Sequence, residues 1–159
     1  MRTYARRTRV EAPLSEVWSF HSRADGLEAL TPGFLDLRVD AIRRPEADAD
    51  GEVLVEGSEM DLSMKPVGVG PRQSWTARIR ERDSGDGWAR FVDDMVDGPF
   101  AAWEHTHRFY GDGDETVVDD RVRYELPGGS VGRAVSPLAV VGFEPMFRYR
   151  HRRTKARLE

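Results

Sequence analysis

Residues 2–11 form a polar stretch in which Thr3, Tyr4, Thr8 and Val10 sit among arginines, and Ala12-Pro13 ends it, so it reads as a strand feeding a turn. Pro13 suits a first helical turn. Behind it Leu14, Val17, Trp18 and Phe20 fall mostly three and four residues apart, which predicts a short amphipathic helix. A second short helix is expected from Asp25 through Leu27 and Leu30, stopping near Thr31-Pro32, because the residue before proline is pushed out of helical geometry. Then the period changes. Runs of strand length cover 33–44, 52–64, 73–83, 88–96, 101–111 and 115–126, separated by turn-forming residues such as Asp83-Ser84-Gly85-Asp86-Gly87 and Gly111-Asp112-Gly113-Asp114. Helical spacing returns through Val131, Val135, Leu138, Val141, Met146 and Tyr149, so one long helix, Ser130–Leu158, is expected to close the chain. Pro137 and Pro145 should interrupt or bend it.

The order is strand, two short helices, six strands and a long helix: an α+β protein in which the six strands form an antiparallel meander and, with the first, a curved seven-stranded antiparallel sheet around the long C-terminal helix. A sheet of this extent needs its apolar face covered, and only the last helix is long enough to cover it. A strongly curved sheet around one helix does not close everywhere, so an internal cavity is expected between them. With 159 residues, one domain spanning 1–159 is expected. No apolar run approaches the roughly 20 residues of a membrane-spanning helix. The arginine-rich start lacks the apolar stretch of a secretory signal, so the cytoplasm is the expected compartment. The absence of cysteine excludes disulfides, thiolate metal sites and cysteine nucleophiles.

The segment richest in chemistry is Gly98-Pro99-Phe100-Ala101-Ala102-Trp103-Glu104-His105-Thr106-His107-Arg108-Phe109. On a strand, Trp103, His105, His107 and Phe109 share one face, and that aromatic face should point inward. The inward set of the next strand is Val118, Asp120, Val122, Tyr124 and Leu126; that of the preceding one is Phe91, Asp93 and Met95. Two carboxylates and two imidazoles would thus face one interior. Each buried carboxylate needs a partner; the histidines, Tyr124, Arg148 and Arg150 are the candidates. Three readings of the cluster are open. In the first it is a polar band that anchors a ligand in a mostly apolar pocket lined by Trp75, Phe91, Trp103, Phe109, Tyr124 and Met146, with Arg150 reaching in. In the second, His105 or His107 is a general acid or base oriented by Asp120 or Asp93. The third is a metal site of two histidines and one aspartate. The first is preferred, with no metal or cofactor.

Other features read more plainly. His21 ends the first helix as a cap or turn residue within reach of the cavity mouth, and His151, inside an arginine run, reads as solvated. Trp18, Trp75 and Trp88 read as core rather than as a cofactor platform. Gly128-Gly129-Ser130-Val131-Gly132 lacks the Lys-Ser/Thr of a phosphate loop, leaving Ser130 as a candidate N-cap. Net charge is −4, yet residues 2–9 hold four arginines and residues 148–157 hold six lysines and arginines, with no acidic residue in either segment. Together they would form a patch for nucleic acid or an acidic partner if they met in space. No aromatic residues interleave the arginines in a stacking pattern, so nucleic acid is not the expected partner.

Val10-Glu11-Ala12-Pro13-Leu14-Ser15-Glu16-Val17-Trp18-Ser19-Phe20-His21, the later Leu30-Thr31-Pro32 and Gly98-Pro99-Phe100, and Trp103-x-His105-x-His107-x-Phe109 resemble the SRPBCC superfamily. So do Asp120-Arg121-Val122-x-Tyr124-x-Leu126-Pro127 and Met146-Phe147-x-Tyr149-Arg150. The superfamily includes START lipid-transfer domains and polyketide cyclases, and the resemblance is greatest to its prokaryotic ligand-binding branch. It implies a helix-grip fold, a deep hydrophobic cavity, and a lipid, polyketide or isoprenoid-like ligand. Some members catalyse cyclisation or dehydration. No catalytic set carries over position by position.

Overall fold

A computed structural model describes residues 1–66 and 68–159. Strand β1 (Arg2–Val10) leads into helices α1 (Leu14–His21) and α2 (Ala24–Ala29). Six strands follow: β2 (Arg38–Arg43), β3 (Glu59–Met64), β4 (Gln73–Gly85), β5 (Trp88–Val96), β6 (Ala102–Asp112) and β7 (Glu115–Glu125). The chain ends in α3 (Gly129–Val135), a 3₁₀ turn (Ser136–Ala139) and α4 (Val140–Leu158).

All seven strands join one antiparallel sheet in the order β1-β7-β6-β5-β4-β3-β2. Four of its pairings are tight or short-looped, whereas β1 reaches β7 from the far end of the sequence and α1–α2 carry the chain across to β2 at the opposite edge. Register breaks between Val39 and Ala41 and between Ile79 and Glu81 add twist on the β2–β5 side. The sheet curls around α4, giving the helix-grip fold. Two apolar clusters fill the concave side. One gathers Val10, Val17, Leu54, Leu62, Ile79, Phe91 and Phe109 beneath α1 and α2. The other joins Tyr4, Val122 and Tyr124 of the sheet to Phe143 and Phe147 of α4.

The structure differs from the sequence expectation where local chemistry competes with extended pairing. The run 33–44 begins as a 3₁₀ turn, Gly33–Leu35, capped by Asp36 in the left-handed region, and only 38–43 pair. Of 52–64, only 59–64 pair, since the chain turns at Gly57 with φ +89°. Conversely, β4 continues through the predicted turn, and its hairpin closes on Asp86-Gly87 alone. The expected single terminal helix is divided. Pro137 opens the 3₁₀ turn between α3 and α4, whereas α4 continues through Pro145. Ser130 is not an N-cap: Gly128, at φ +98°, takes that position, and Ser130 lies inside the first turn of α3.

Candidate functional site

Between the concave sheet and α4 lies a cavity of about 480 Å³, within the usual size range of small-molecule sites. Its walls are mostly apolar: Leu27 and Leu30 from α2, Met60 and Leu62 from β3, Trp75, Ala77 and Ile79 from β4, and Phe143, Met146 and Phe147 from α4. Trp103 and Phe100 close the side nearest the β5–β6 loop. His105, His107, Asp93, His21 and Arg150 form a polar region facing the space, and Arg23, Thr31 and Gln73 also border it.

Strand register builds this polar region. Asp93 of β5 lies opposite His105 of β6, and His107 lies opposite Asp120 of β7. Alternation then turns all four side chains to the concave face. His105 Nε2 bonds Asp120 Oδ1 at 2.9 Å, and His107 Nε2 bonds Asp93 Oδ2 at 2.9 Å. His107 Nδ1 also lies 3.0 Å from Asp120 Oδ1, too far out of line for a hydrogen bond, so that contact is mainly electrostatic. The two imidazoles lie with centroids 3.6 Å apart and planes tilted by 36°, and Phe91 stacks on His107 at 3.9 Å. From α4, His151 Nε2 donates to Asp120 Oδ2 at 2.6 Å. Asp120 therefore sits behind the histidines, buried, tying β6, β7 and α4 together.

Burial alone would raise the Asp120 carboxyl, but hydrogen bonds from His105 and His151 and the close His107 imidazole hold it well below the usual carboxylate range. Burial and the neighbouring His107 push His105 down, outweighing Asp120. Burial also acts against the charged form of His107, but Asp120 and Asp93 overcome it and push that imidazole up. The adjacent pair is thus biased in opposite directions, one ring towards neutral and its neighbour towards cationic. With Nε2–H of His105 donated to Asp120, its Nδ1 carries the lone pair. That nitrogen makes no protein hydrogen bond and is not sealed from the cavity. His21 donates Nδ1–H to Val17 O at 2.8 Å and packs against Phe109; burial pushes its pKa down to about 4.

Asp93, His105 and His107 also place one donor atom each within 4.8 Å of one another, a spacing a metal ion can bridge. Here Asp93 and His107 satisfy each other directly, and the Arg150 guanidinium faces the same space. Both features oppose a divalent cation.

Of the residues expected in the lining, Trp75, Phe91, Trp103, His105, His107, Met146 and Arg150 border the cavity, as does Asp93. Phe109 and Tyr124 do not border it. Phe109 lies farther along β6, under α1 and against Trp18, while Tyr124 is fully buried with its hydroxyl donated to Ser136 O at 2.7 Å. Arg148 pairs with Glu144 outside the cavity instead of reaching a buried aspartate. His151 is not solvated: it is 4% exposed and belongs to the buried face Phe143, Phe147, His151, Thr154. That spacing of four, four and three residues is present in the sequence, but the surrounding arginines masked it. The basic β1 side chains Arg6, Arg7 and Arg9 are matched by Glu144, Asp119, Asp112 and Glu115.

Solved structures share this fold at low sequence identity. TTHA0849 of Thermus thermophilus superposes with a TM-score of 0.68 at 19% identity, covering 99% of this chain and 97% of that one. A START superfamily protein of Mycobacterium smegmatis gives 0.68 at 12% identity, covering 98% and 96%. Norcoclaurine synthase of Thalictrum flavum, solved with dopamine and hydroxybenzaldehyde, gives 0.63 at 17% identity, covering 99% and 86%. No curated protein matches the sequence. The family described as polyketide cyclase / dehydrase and lipid transport matches residues 10–147. With most of its length matched, the chain belongs to the polyketide cyclase/dehydrase and lipid transport family.

Proposed function

We propose that this protein binds one small hydrophobic or amphipathic molecule, of lipid, polyketide or isoprenoid type, inside the sheet–α4 cavity. The observation that carries this reading is the cavity itself: about 480 Å³, walled mostly by aliphatic and aromatic side chains, with a cluster of His105, His107, Asp93 and Arg150 facing it. An apolar body burying against Leu, Met and Trp walls is driven by roughly 25 cal/mol per Å² removed from water, while the polar region fixes its orientation. The family and the fold are in keeping with such a ligand. Native mass spectrometry of protein purified from its own host tests the proposal. A single added mass that disappears on solvent extraction supports it. Protein that carries no small molecule and shows no change in Trp75 or Trp103 fluorescence with any hydrophobic probe overturns it.

A second reading is favoured by one specific observation, the free Nδ1 of His105 opening on the cavity while Nε2 is held by Asp120. A neutral imidazole so oriented can remove a proton from a carbon or hydroxyl of the bound molecule and, once protonated at Nδ1, return it to the leaving oxygen or the new carbon centre. Cyclisation or dehydration of a carbonyl-containing substrate would use both steps. The extracted ligand incubated with fresh protein distinguishes the two readings. Loss of water or ring closure that stops in H105Q, with binding retained, supports catalysis; an unchanged ligand supports binding alone.

A further inference from the structure

The polar region contains an arginine whose bonding is incomplete. Asp120 is occupied by His105 and His151, and Asp93 by His107. Arg23, the other arginine bordering the cavity, is paired with Asp25 and Glu52. Arg150 differs from all of these. It projects from α4 into the cavity, and among the described residues it forms no ion pair and donates no side-chain hydrogen bond. Its guanidinium carbon lies 5.9 Å from the Phe147 ring centroid, so the group is flanked by an aromatic wall. A guanidinium stays charged in any protein and carries five donors in a planar fork. Arg150 is only partly exposed, and an acidic partner in the cavity would give its unmatched donors charge-assisted hydrogen bonds.

Resting on the cavity reading above, we infer that the ligand carries a carboxylate, and that Arg150 binds it as a two-pronged charge-assisted pair. The ligand class is therefore a hydrophobic carboxylic acid, with its acid group beside the His–Asp band and its apolar body against Trp75, Trp103 and Met146. Planar carboxylate matches the guanidinium fork better than a lone hydroxyl does, because both oxygens accept parallel N–H bonds. Asp93 and Asp120 lie near enough to attract Arg150, yet neither reaches it, since each is already held by imidazoles. An amine-bearing ligand would place a second cation beside Arg150 and is disfavoured.

Paired probes that differ only in the end group test this. Dodecanoate against dodecanol, and 2-naphthoate against 2-naphthalenemethanol, are titrated at pH 7.5 by tryptophan fluorescence and calorimetry into wild-type, R150M and R150Q protein. Wild type should favour each acid over its alcohol by about tenfold or more, the increment of a charge-assisted pair. In both variants that preference should vanish while alcohol affinity is unchanged, and retained alcohol binding shows that the variants are folded. Equal affinity for acid and alcohol in wild type, or an acid preference that survives in R150M and R150Q, overturns the carboxylate assignment and leaves the cavity reading standing. Failure of every probe to bind wild type overturns both.

Discussion

Asp120 shows how much one side chain can hold. Its two oxygens receive His105 from the adjacent strand and His151 from α4, so D120N removes the one charge that three imidazoles share. Breaking a buried charge pair by removing one partner costs about 3–5 kcal/mol, and urea denaturation of D120N should show a loss of that order. The pH dependence has a defined sign at each group. Asp120 has a depressed folded pKa, so its contribution is present above the unfolded carboxylate value and is lost as pH falls through the folded one. His107, raised on folding, contributes fully below the unfolded imidazole value and loses that contribution as pH rises through its folded pKa. His21 behaves oppositely: its folded pKa of about 4 lies below the unfolded value, so unfolding takes up a proton as the solution is acidified. Wild type should therefore lose up to about 3 kcal/mol through His21 between pH 6.5 and 4. H21Q lacks this term, and urea midpoints compared across that range should show a shallower acid slope. An identical slope in both proteins would exclude it.

At the scale of elements, the two short helices are seated against each other by a close contact that leaves no room for added atoms. Gly26 of α2 lies under α1: a Cβ there would stand 2.2 Å from the Phe20 carbonyl oxygen. G26A should separate α1 from α2 at a cost of about 1–3 kcal/mol, the usual range for overpacking. Leu27 and Leu30 of α2 border the cavity, so the same variant should also weaken ligand affinity, which calorimetry reads. Helix α4 is held along its length by its buried face and by Glu144, which accepts from the Tyr4 hydroxyl and pairs with Arg6 of β1. Phe147 packs against Tyr4 and against the edge of His105, so it supports the helix and the polar band together. F147A should cost about 3–5 kcal/mol, seen as a lowered thermal midpoint, and should enlarge the cavity on the side of Arg150.

For the whole molecule, the cavity couples ligand to fold, because sheet and α4 contribute opposite walls. A ligand that binds only the folded protein adds about 2.7 kcal/mol of stability at 100 times its Kd, so a bound acid should raise the thermal midpoint in proportion to the logarithm of its concentration. Among the described residues no helix is long and apolar enough to cross a membrane. Much of this architecture was legible in residue order alone. The period-2 alternation of Trp103, His105, His107 and Phe109, and its counterparts on the neighbouring strands, determined which side chains share a face, since a strand permits only two. Turn residues such as Asp86-Gly87 and Gly113-Asp114 determined where β4–β5 and β6–β7 reverse. Tertiary structure decided the rest. Alternation cannot say how far along a strand the cavity extends, which is why Phe109 and Tyr124 share the inward face yet pack beyond the cavity. Nor can it say which long-range partner a helical side chain meets: His151 lies 31 residues from Asp120, and only the closure of α4 over the sheet brings them to 2.6 Å. The same closure turned Arg150 inward while Arg148, two residues before it, paired with Glu144 on the outside. Sequence sets the faces of each element because local geometry has short periods; which faces meet is decided by how the elements pack.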